Sequence, residues 1–138
     1  MTMNVEISNF DDLLRAARAQ PQPQRLLFVF AGAELPDDST PEQRAAFESG
    51  EGGALAPLMS ADKLPDELST FGALVEESRG FGPEWAVVFV ASLPGRADRP
   101  PTSKDADQPL QRMIESIKMG AFGSYIPFDR QGQPVRFN

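Results

Sequence analysis

The chain has 138 residues, 41% of them hydrophobic, which is enough for one compact domain and not comfortably enough for two. It contains no Cys and no His, so disulfides, thiolate nucleophiles, Cys or His metal sites and imidazole acid–base catalysis are excluded. With 13 basic and 20 acidic residues the net charge is −7, which argues against general nucleic-acid binding and against binding to anionic membranes.

Hydrophobic periodicity and capping residues predict helices that alternate with strands. Helices are predicted over about 9–20, 40–50, 65–80 and 110–120, and strands over 26–31, 54–59, 85–91 and 122–128. Pro57 favours an edge position or a bulge for the second strand. Turn composition at 129–132 precedes a candidate return strand at Val135 and Phe137.

Two runs, Leu26–Ala31 and Trp85–Ala91, are continuously apolar, as is typical of central strands covered on both faces. Residues 93–109 are rich in Pro and charge, which predicts a long loop. Because strands alternate with helices, we predict the α/β class: a single layered domain with a mostly parallel or mixed sheet of four to five strands and about four helices. Residues 1–7 are a candidate disordered segment.

The charge is unevenly distributed along the chain. Residues 1–84 carry six basic and fifteen acidic residues, a net charge of −9, whereas 85–138 carry seven basic and five acidic residues, a net charge of +2. One interpretation is a solvated surface that keeps the protein in solution. The other is an acidic side that meets a basic partner or the chain's own basic end.

Motifs for the common reaction types are missing. The Gly-rich phosphate loops are absent, and Glu51-Gly52-Gly53 precedes a predicted strand, so we interpret it as a turn. A Ser-His-Asp triad is impossible without His. The acidic pairs Asp11-Asp12, Asp37-Asp38 and Glu76-Glu77 are sequence neighbours, which rarely share one site. No EF-hand spacing occurs, so no metal and no cofactor are predicted.

One set of residues suggests a binding site. Arg96, Arg99 and Lys104 follow the third predicted strand, and arginine binds carboxylate or phosphate with two parallel hydrogen bonds. Gly32 and Glu34 follow the first predicted strand, so in a parallel sheet all five would meet at the carboxyl ends of the central strands. The alternative is a solvated loop, because Asp98, Asp105 and Asp107 counter the positive charge.

The segments Gln24–Pro36, Glu51–Leu55 and Phe128–Val135 resemble a group of small uncharacterised proteobacterial proteins that often carry the label "ribonucleotide reductase subunit alpha". The resemblance implies a bacterial cytosolic protein and brings no functional residues with it. The label conflicts with the composition, because the large subunit of that enzyme uses a thiyl radical and a redox-active cysteine pair. A chain without Cys cannot perform that reaction.

Two functional hypotheses follow. The first is a non-enzymatic domain that acts through protein–protein contact or self-association, for example by pairing of a marginal strand at 124–128 with a second copy. The alternative is a binder of, or minor enzyme acting on, a small anionic ligand at Arg96, Arg99, Lys104, Glu34 and Gly32. Neither a nucleic acid nor a membrane is an expected partner, and a reducing cytoplasm is the expected location since Cys is absent.

Overall fold

The computed structural model describes residues 9–34, 40–48, 54–68, 70–80 and 85–135. Five features named from the sequence lie outside these ranges. They are the disordered segment at 1–7, the acidic pair Asp37-Asp38, the helix end at Gly50, the turn at 51–53 and the return-strand residue Phe137.

The described residues form helices and strands in alternating order. The helices are α1 (Phe10–Arg18), α2 (Pro41–Glu48), α3 (Phe71–Arg79) and α4 (Ser103–Lys118), with a short 3-10 helix at Pro65–Glu67. The strands are β1 (Gln24–Glu34), β2 (Ala54–Lys63), β3 (Val87–Pro94) and β4 (Ile126–Phe128). In this part of the chain no helix is long and apolar enough to cross a membrane.

The four strands form one sheet in the order β2-β1-β3-β4, and every neighbouring pair is antiparallel. The prediction of a mostly parallel or mixed sheet is therefore not confirmed, although the mixed α/β content is. Glu34 pairs with Ala54, so the connection between β1 and β2 begins and ends at the same end of the sheet and reverses the strand direction. Only α3 joins two strands of the same direction, β2 and β3, and β1 lies between them.

The two apolar runs do form the middle of the sheet, as predicted. Leu26 to Ala31 in β1 and Val88 to Val90 in β3 are each no more than 3% exposed, although their side chains alternate between the two faces. β1 and β3 pair along eight residues, from Gln24 opposite Pro94 to Ala31 opposite Val87. This central pair is covered by helices on both sides.

The two faces of the sheet have different cores. α1 and α3 cover the first face, where the rings of Phe10, Phe28, Phe71, Phe128, Phe30 and Trp85 make successive contacts with centroid separations of 4.9 to 6.4 Å. α4 covers the second face with the stripe Ala106, Leu110, Met113 and Ile117. The result is a three-layer arrangement around a single sheet.

The predicted helix at 65–80 is divided. Pro65–Glu67 forms a 3-10 turn, and α3 starts only at Phe71, where Thr70 accepts a hydrogen bond from the backbone N–H of Ala73 at 3.1 Å. Gly80 caps the helix as expected. The segment before α3 therefore acts as a connection between the sheet and the helix, and Leu68 still packs into the core.

The loop predicted at 93–109 is much shorter than expected. β3 extends to Pro94, and α4 starts at Ser103, seven residues before the predicted start of that helix. The Thr102 hydroxyl accepts the backbone N–H of Asp105, and the Asp105 carboxylate accepts the backbone N–H of Thr102. This capping box starts the helix early enough to include Pro109.

The two edges of the sheet are unlike each other. β2 has ten residues and lies at the edge of the sheet. Phe30 pairs with Met59 but Ala31 pairs with Pro57, so the register shifts beside Pro57. Both alternatives predicted for Pro57, an edge position and a bulge, are confirmed. β4 has only three residues. On its far side, Phe128 forms a bridge with Pro134 and the N–H of Val135 donates to the carbonyl of Pro127 at 3.0 Å. Among the described strands the long edge is therefore β2, and not the strand predicted at 124–128.

Candidate functional site

The antiparallel pairing separates the five candidate binding residues into two groups. Arg96 and Arg99 follow β3, whose last residue pairs with Gln24 at the start of β1. Gly32 and Glu34 lie at the other end of β1, about 30 Å away along the strand. The expectation of one shared crevice is therefore wrong, because it required β1 and β3 to be parallel.

Arg96 and Arg99 face each other across a tight turn. The N–H of Arg96 donates to the carbonyl of Arg99 at 3.0 Å, and the N–H of Arg99 donates to the carbonyl of Arg96 at 2.8 Å. Ala97 in the turn has φ +52°, a left-handed conformation that is unfavourable for residues other than glycine. We call residues 95–100 the arginine hairpin.

Gly95 is required for the approach of the two hairpin strands. A Cβ atom at this position would lie 2.0 Å from the carbonyl oxygen of Arg99. The N–H of Gly95 also donates to the carbonyl of Pro23 at 2.8 Å, which attaches the hairpin to the segment before β1. Backbone hydrogen bonds therefore close the hairpin across its turn and attach it to the sheet at Gly95.

An open cleft of about 610 Å³ lies beside the arginine hairpin, and we call it the arginine cleft. Its lining comes from the end of β3, the hairpin and the start of α4: Leu93, Pro94, Gly95, Arg96, Arg99, Pro100, Pro101, Thr102 and Asp105. Lys104 is exposed on the first turn of α4. Of the residues predicted to bind an anion, Arg96 and Arg99 therefore share one cavity wall.

The charge balance in the arginine cleft depends on Asp105. The hydrogen bond from the Thr102 backbone is the largest cause that lowers the pKa of this carboxyl, and the charges of Arg96 and Lys104 add to it. Asp105 is therefore ionised at neutral pH and partly compensates Arg96. Arg99 has no side-chain hydrogen bond or ion pair with any described residue.

A second arginine lies close by but is buried. Arg25 of β1, only 9% exposed, donates its Nε to Asp62 at 2.6 Å, its Nη2 to the Ser103 hydroxyl at 2.6 Å and its Nη1 to the Pro101 carbonyl at 3.3 Å. The Ser103 hydroxyl in turn donates to Asp62 at 2.7 Å. We call Arg25, Asp62 and Ser103 the arginine clamp, because they join β1, β2 and the start of α4.

The chemistry of the arginine clamp is structural. A serine hydroxyl beside a carboxylate resembles a nucleophile with its base. Partial burial raises the pKa of Asp62, but the hydrogen bonds from Ser103 and Arg25 and the charges of Arg25 and Lys63 outweigh it, so the pKa lies below 3.8. A carboxylate with a lowered pKa is a weak base, and it cannot activate Ser103 efficiently near neutral pH.

Sequence reasoning missed all three clamp residues. Arg25 directly precedes the apolar run Leu26–Ala31 and is not part of it. Asp62 lies beyond Met59, where the second strand is predicted to end. One sequence signal was available. The spacing Thr102-x-x-Asp105 is a capping pattern that would have started α4 at Ser103 and placed its first turn next to the sheet.

A groove of about 350 Å³ runs between the edge strand β2 and helix α3, and we call it the edge groove. Its walls include Phe30, Met59, Ala61, Leu74 and Ser78. At one end, the Lys63 ammonium and the Glu77 carboxylate form an ion pair at 2.8 Å that bridges the strand and the helix. The edge groove therefore lies along the one long strand edge of the described sheet.

Three described members of the adjacent acidic pairs, Asp12, Glu76 and Glu77, take part in surface ion pairs. Glu76 pairs with Arg79 at 3.0 Å and Glu77 with Lys63, while Asp12 pairs with Arg15 within α1. In the described ranges no group of three or more acidic side chains is arranged to hold a metal ion. Their arrangement is that of a charged surface.

Comparisons with known proteins add no relative: no family model, no curated protein and no solved structure matches this chain. The resemblance to small proteobacterial proteins therefore stays a prediction from the sequence.

Proposed function

We propose that this protein is a non-enzymatic, cytoplasmic interaction domain that binds an extended, basic segment of a partner protein along β2. The observation that carries the proposal is the long β2 edge with the edge groove beside it. In strand addition, an extended peptide gains main-chain hydrogen bonds from a sheet edge, while a neighbouring groove receives alternate side chains. A sheet edge without a groove would supply only the main-chain hydrogen bonds.

The part of β2 after the bulge is the best suited to this pairing. Pro57 has no N–H and the bulge interrupts the ladder, so both protect the first half of the strand from pairing with another chain. Leu58–Lys63 has no proline and keeps a regular register with β1 from Met59 to Lys63. Leu58, Met59 and Ala61 are half-buried and present apolar surface toward α3.

The charge around the edge groove favours a basic segment. The edge groove is lined by the carboxylates of Asp62 and Glu77 and the ammonium of Lys63, and α3 adds Glu76 beside Arg79. The excess is negative, in agreement with the net charge of −9 over residues 1–84. A second copy of the chain would bring the same acidic surface to the edge and would meet repulsion.

Amide hydrogen exchange measured by NMR tests the proposal with a ten-residue peptide of alternating lysine and valine as the probe. The peptide should slow exchange at the outward-facing amides of Leu58–Lys63 and shift the signals of Ala61 and Glu77. The same peptide with proline at alternate positions cannot form the ladder and is the control. Equal effects of both peptides, or no protection in β2, would contradict strand addition.

Two variants sharpen this test. Glu77→Gln removes one carboxylate of the edge groove and should weaken binding of the lysine peptide several-fold, with a smaller dependence on salt. Ala61→Lys fills the edge groove and should weaken binding of the lysine peptide about tenfold. The matched control is Ala121→Lys, at an exposed position after α4. If light scattering shows twice the 15.1 kDa mass for the protein alone and β2 is already protected, a second copy occupies the edge instead.

A further inference from the structure

The arginine hairpin keeps two like charges close together without compensating both of them. Residues that directly oppose each other in an antiparallel pair project to the same side, with Cβ atoms about 5 Å apart, and like charges in such a pair are unfavourable. Arg96 and Arg99 are such a pair. Arg96 is attracted to Asp105, but in the described chain Arg99 has no side-chain partner.

The backbone of the hairpin enforces this proximity. Ala97 adopts φ +52°, a left-handed conformation that is strained for a residue with a side chain, and Gly95 permits a contact that no other residue could make. Local strain combined with two neighbouring like charges is unfavourable for the free protein. An anion bound between the guanidinium groups would remove the repulsion, and the hairpin backbone already holds the two residues opposite each other.

We propose that Arg96 and Arg99 bind the phosphate group of a small phosphorylated molecule in the arginine cleft. A phosphate monoester carries a charge near −2 and three terminal oxygens, so it can neutralise two guanidinium groups and accept hydrogen bonds from both. A carboxylate carries one charge and fits one guanidinium fork. The volume of about 610 Å³ accommodates a molecule of metabolite size.

The remaining charges of the arginine cleft determine how strongly it attracts an anion. Asp105 faces the same cleft and opposes an anion, while its neighbour Lys104 on the same first turn of α4 favours one. The arginine clamp contributes no free charge, because Arg25 is fully engaged with Asp62, Ser103 and Pro101. Affinity therefore depends on Arg96 and Arg99 and is reduced by Asp105.

NMR titration with glycerol phosphate at constant ionic strength tests the site. Saturable shifts are expected at the side-chain Nε–H signals of Arg96 and Arg99 and at the amide of Gly95. Arg96→Ala and Arg99→Ala should each weaken binding about tenfold, a loss typical of one charge-assisted hydrogen-bonded contact. Arg112→Ala removes an exposed arginine of α4 outside the arginine cleft and should leave binding unchanged.

A third variant separates specific binding from general charge effects. Asp105→Asn removes the opposing charge and should tighten binding of glycerol phosphate several-fold. Acetate and sodium chloride at matched ionic strength should cause only small, unsaturated shifts. Equal shifts with acetate, an unchanged affinity of Asp105→Asn, or loss of affinity in Arg112→Ala as large as in Arg99→Ala would each overturn the proposal.

Discussion

Arg25 in the arginine clamp and the arginine hairpin lie at the same end of the sheet, yet their guanidinium groups have opposite surroundings. Arg25 is buried and makes three hydrogen bonds that join β1, β2 and α4. Arg96 and Arg99 are exposed, adjacent and uncompensated by any ion pair in the described chain. The first arrangement stabilises the fold, whereas the second keeps charge available for a ligand.

This difference predicts that stability and binding can be changed separately. Removal of a clamp residue leaves a buried charge without its partner, which lowers the free energy of unfolding. Removal of an exposed hairpin arginine leaves no unsatisfied buried group, so its effect should be on binding. The three predictions that follow are ordered by the size of the expected effect.

The largest effect is expected for Arg25→Ala. It removes the guanidinium partner of Asp62, which then keeps only the hydrogen bond from the Ser103 hydroxyl. Loss of one partner of a buried pair costs about 3 kcal/mol, at the low end because Asp62 is 20% exposed. Urea unfolding measures the change. The control is Arg15→Ala, which breaks a surface ion pair with Asp12. Because the Arg15 side chain is 73% exposed, this change should lower the free energy of unfolding by less than about 0.5 kcal/mol. Equal losses in both variants would contradict a structural role of the clamp.

The next effect is expected for Gly95→Ala in the arginine hairpin. The new Cβ would meet the Arg99 carbonyl at 2.0 Å, so the backbone must open, at a cost of about 2 kcal/mol. Anion binding should be lost at the same time because Arg96 and Arg99 separate. Gly123→Ala is the control, since no heavy atom lies within 4 Å of its Cβ and neither stability nor binding should fall. A wild-type affinity for glycerol phosphate in Gly95→Ala would show that the hairpin geometry is not needed.

The smallest effect concerns pH and Asp62. Its pKa in the folded state is below the value of 3.8 expected in the unfolded chain, so the ionised carboxylate contributes stability above pH 3.8. That contribution is lost as the pH falls through the folded-state pKa. Asp62→Asn should therefore reduce the loss of stability between pH 5 and pH 2.5, as measured by urea midpoints across this range. An unchanged pH profile would exclude Asp62 as a contributor.

Some of this architecture could be predicted from local sequence signals. The two apolar runs identified the central strands because only strands buried on both faces are apolar at every position. Pro57 predicted the edge and the bulge through its missing N–H. These predictions depend on a residue's immediate chemistry, which the sequence states directly.

The direction of the strands could not be obtained in the same way. An alternating order of helices and strands is compatible with antiparallel pairing when a connection returns to the end from which it started, as between Glu34 and Ala54. This error moved Gly32 and Glu34 into the wrong part of the candidate site. The prediction of Arg96 and Arg99 as neighbours in one cavity was independent of strand direction, because they are close in sequence.

The position of β1 also affects how the chain can fold during synthesis. β1 is made before both of its neighbours, because β2 and β3 begin 30 and 63 residues later than Gln24. A ribosome adds about 5–20 residues per second, so this apolar strand spends seconds with unpaired edges. A chain that stalls before Val87 would expose it, and such truncated products should aggregate or engage chaperones.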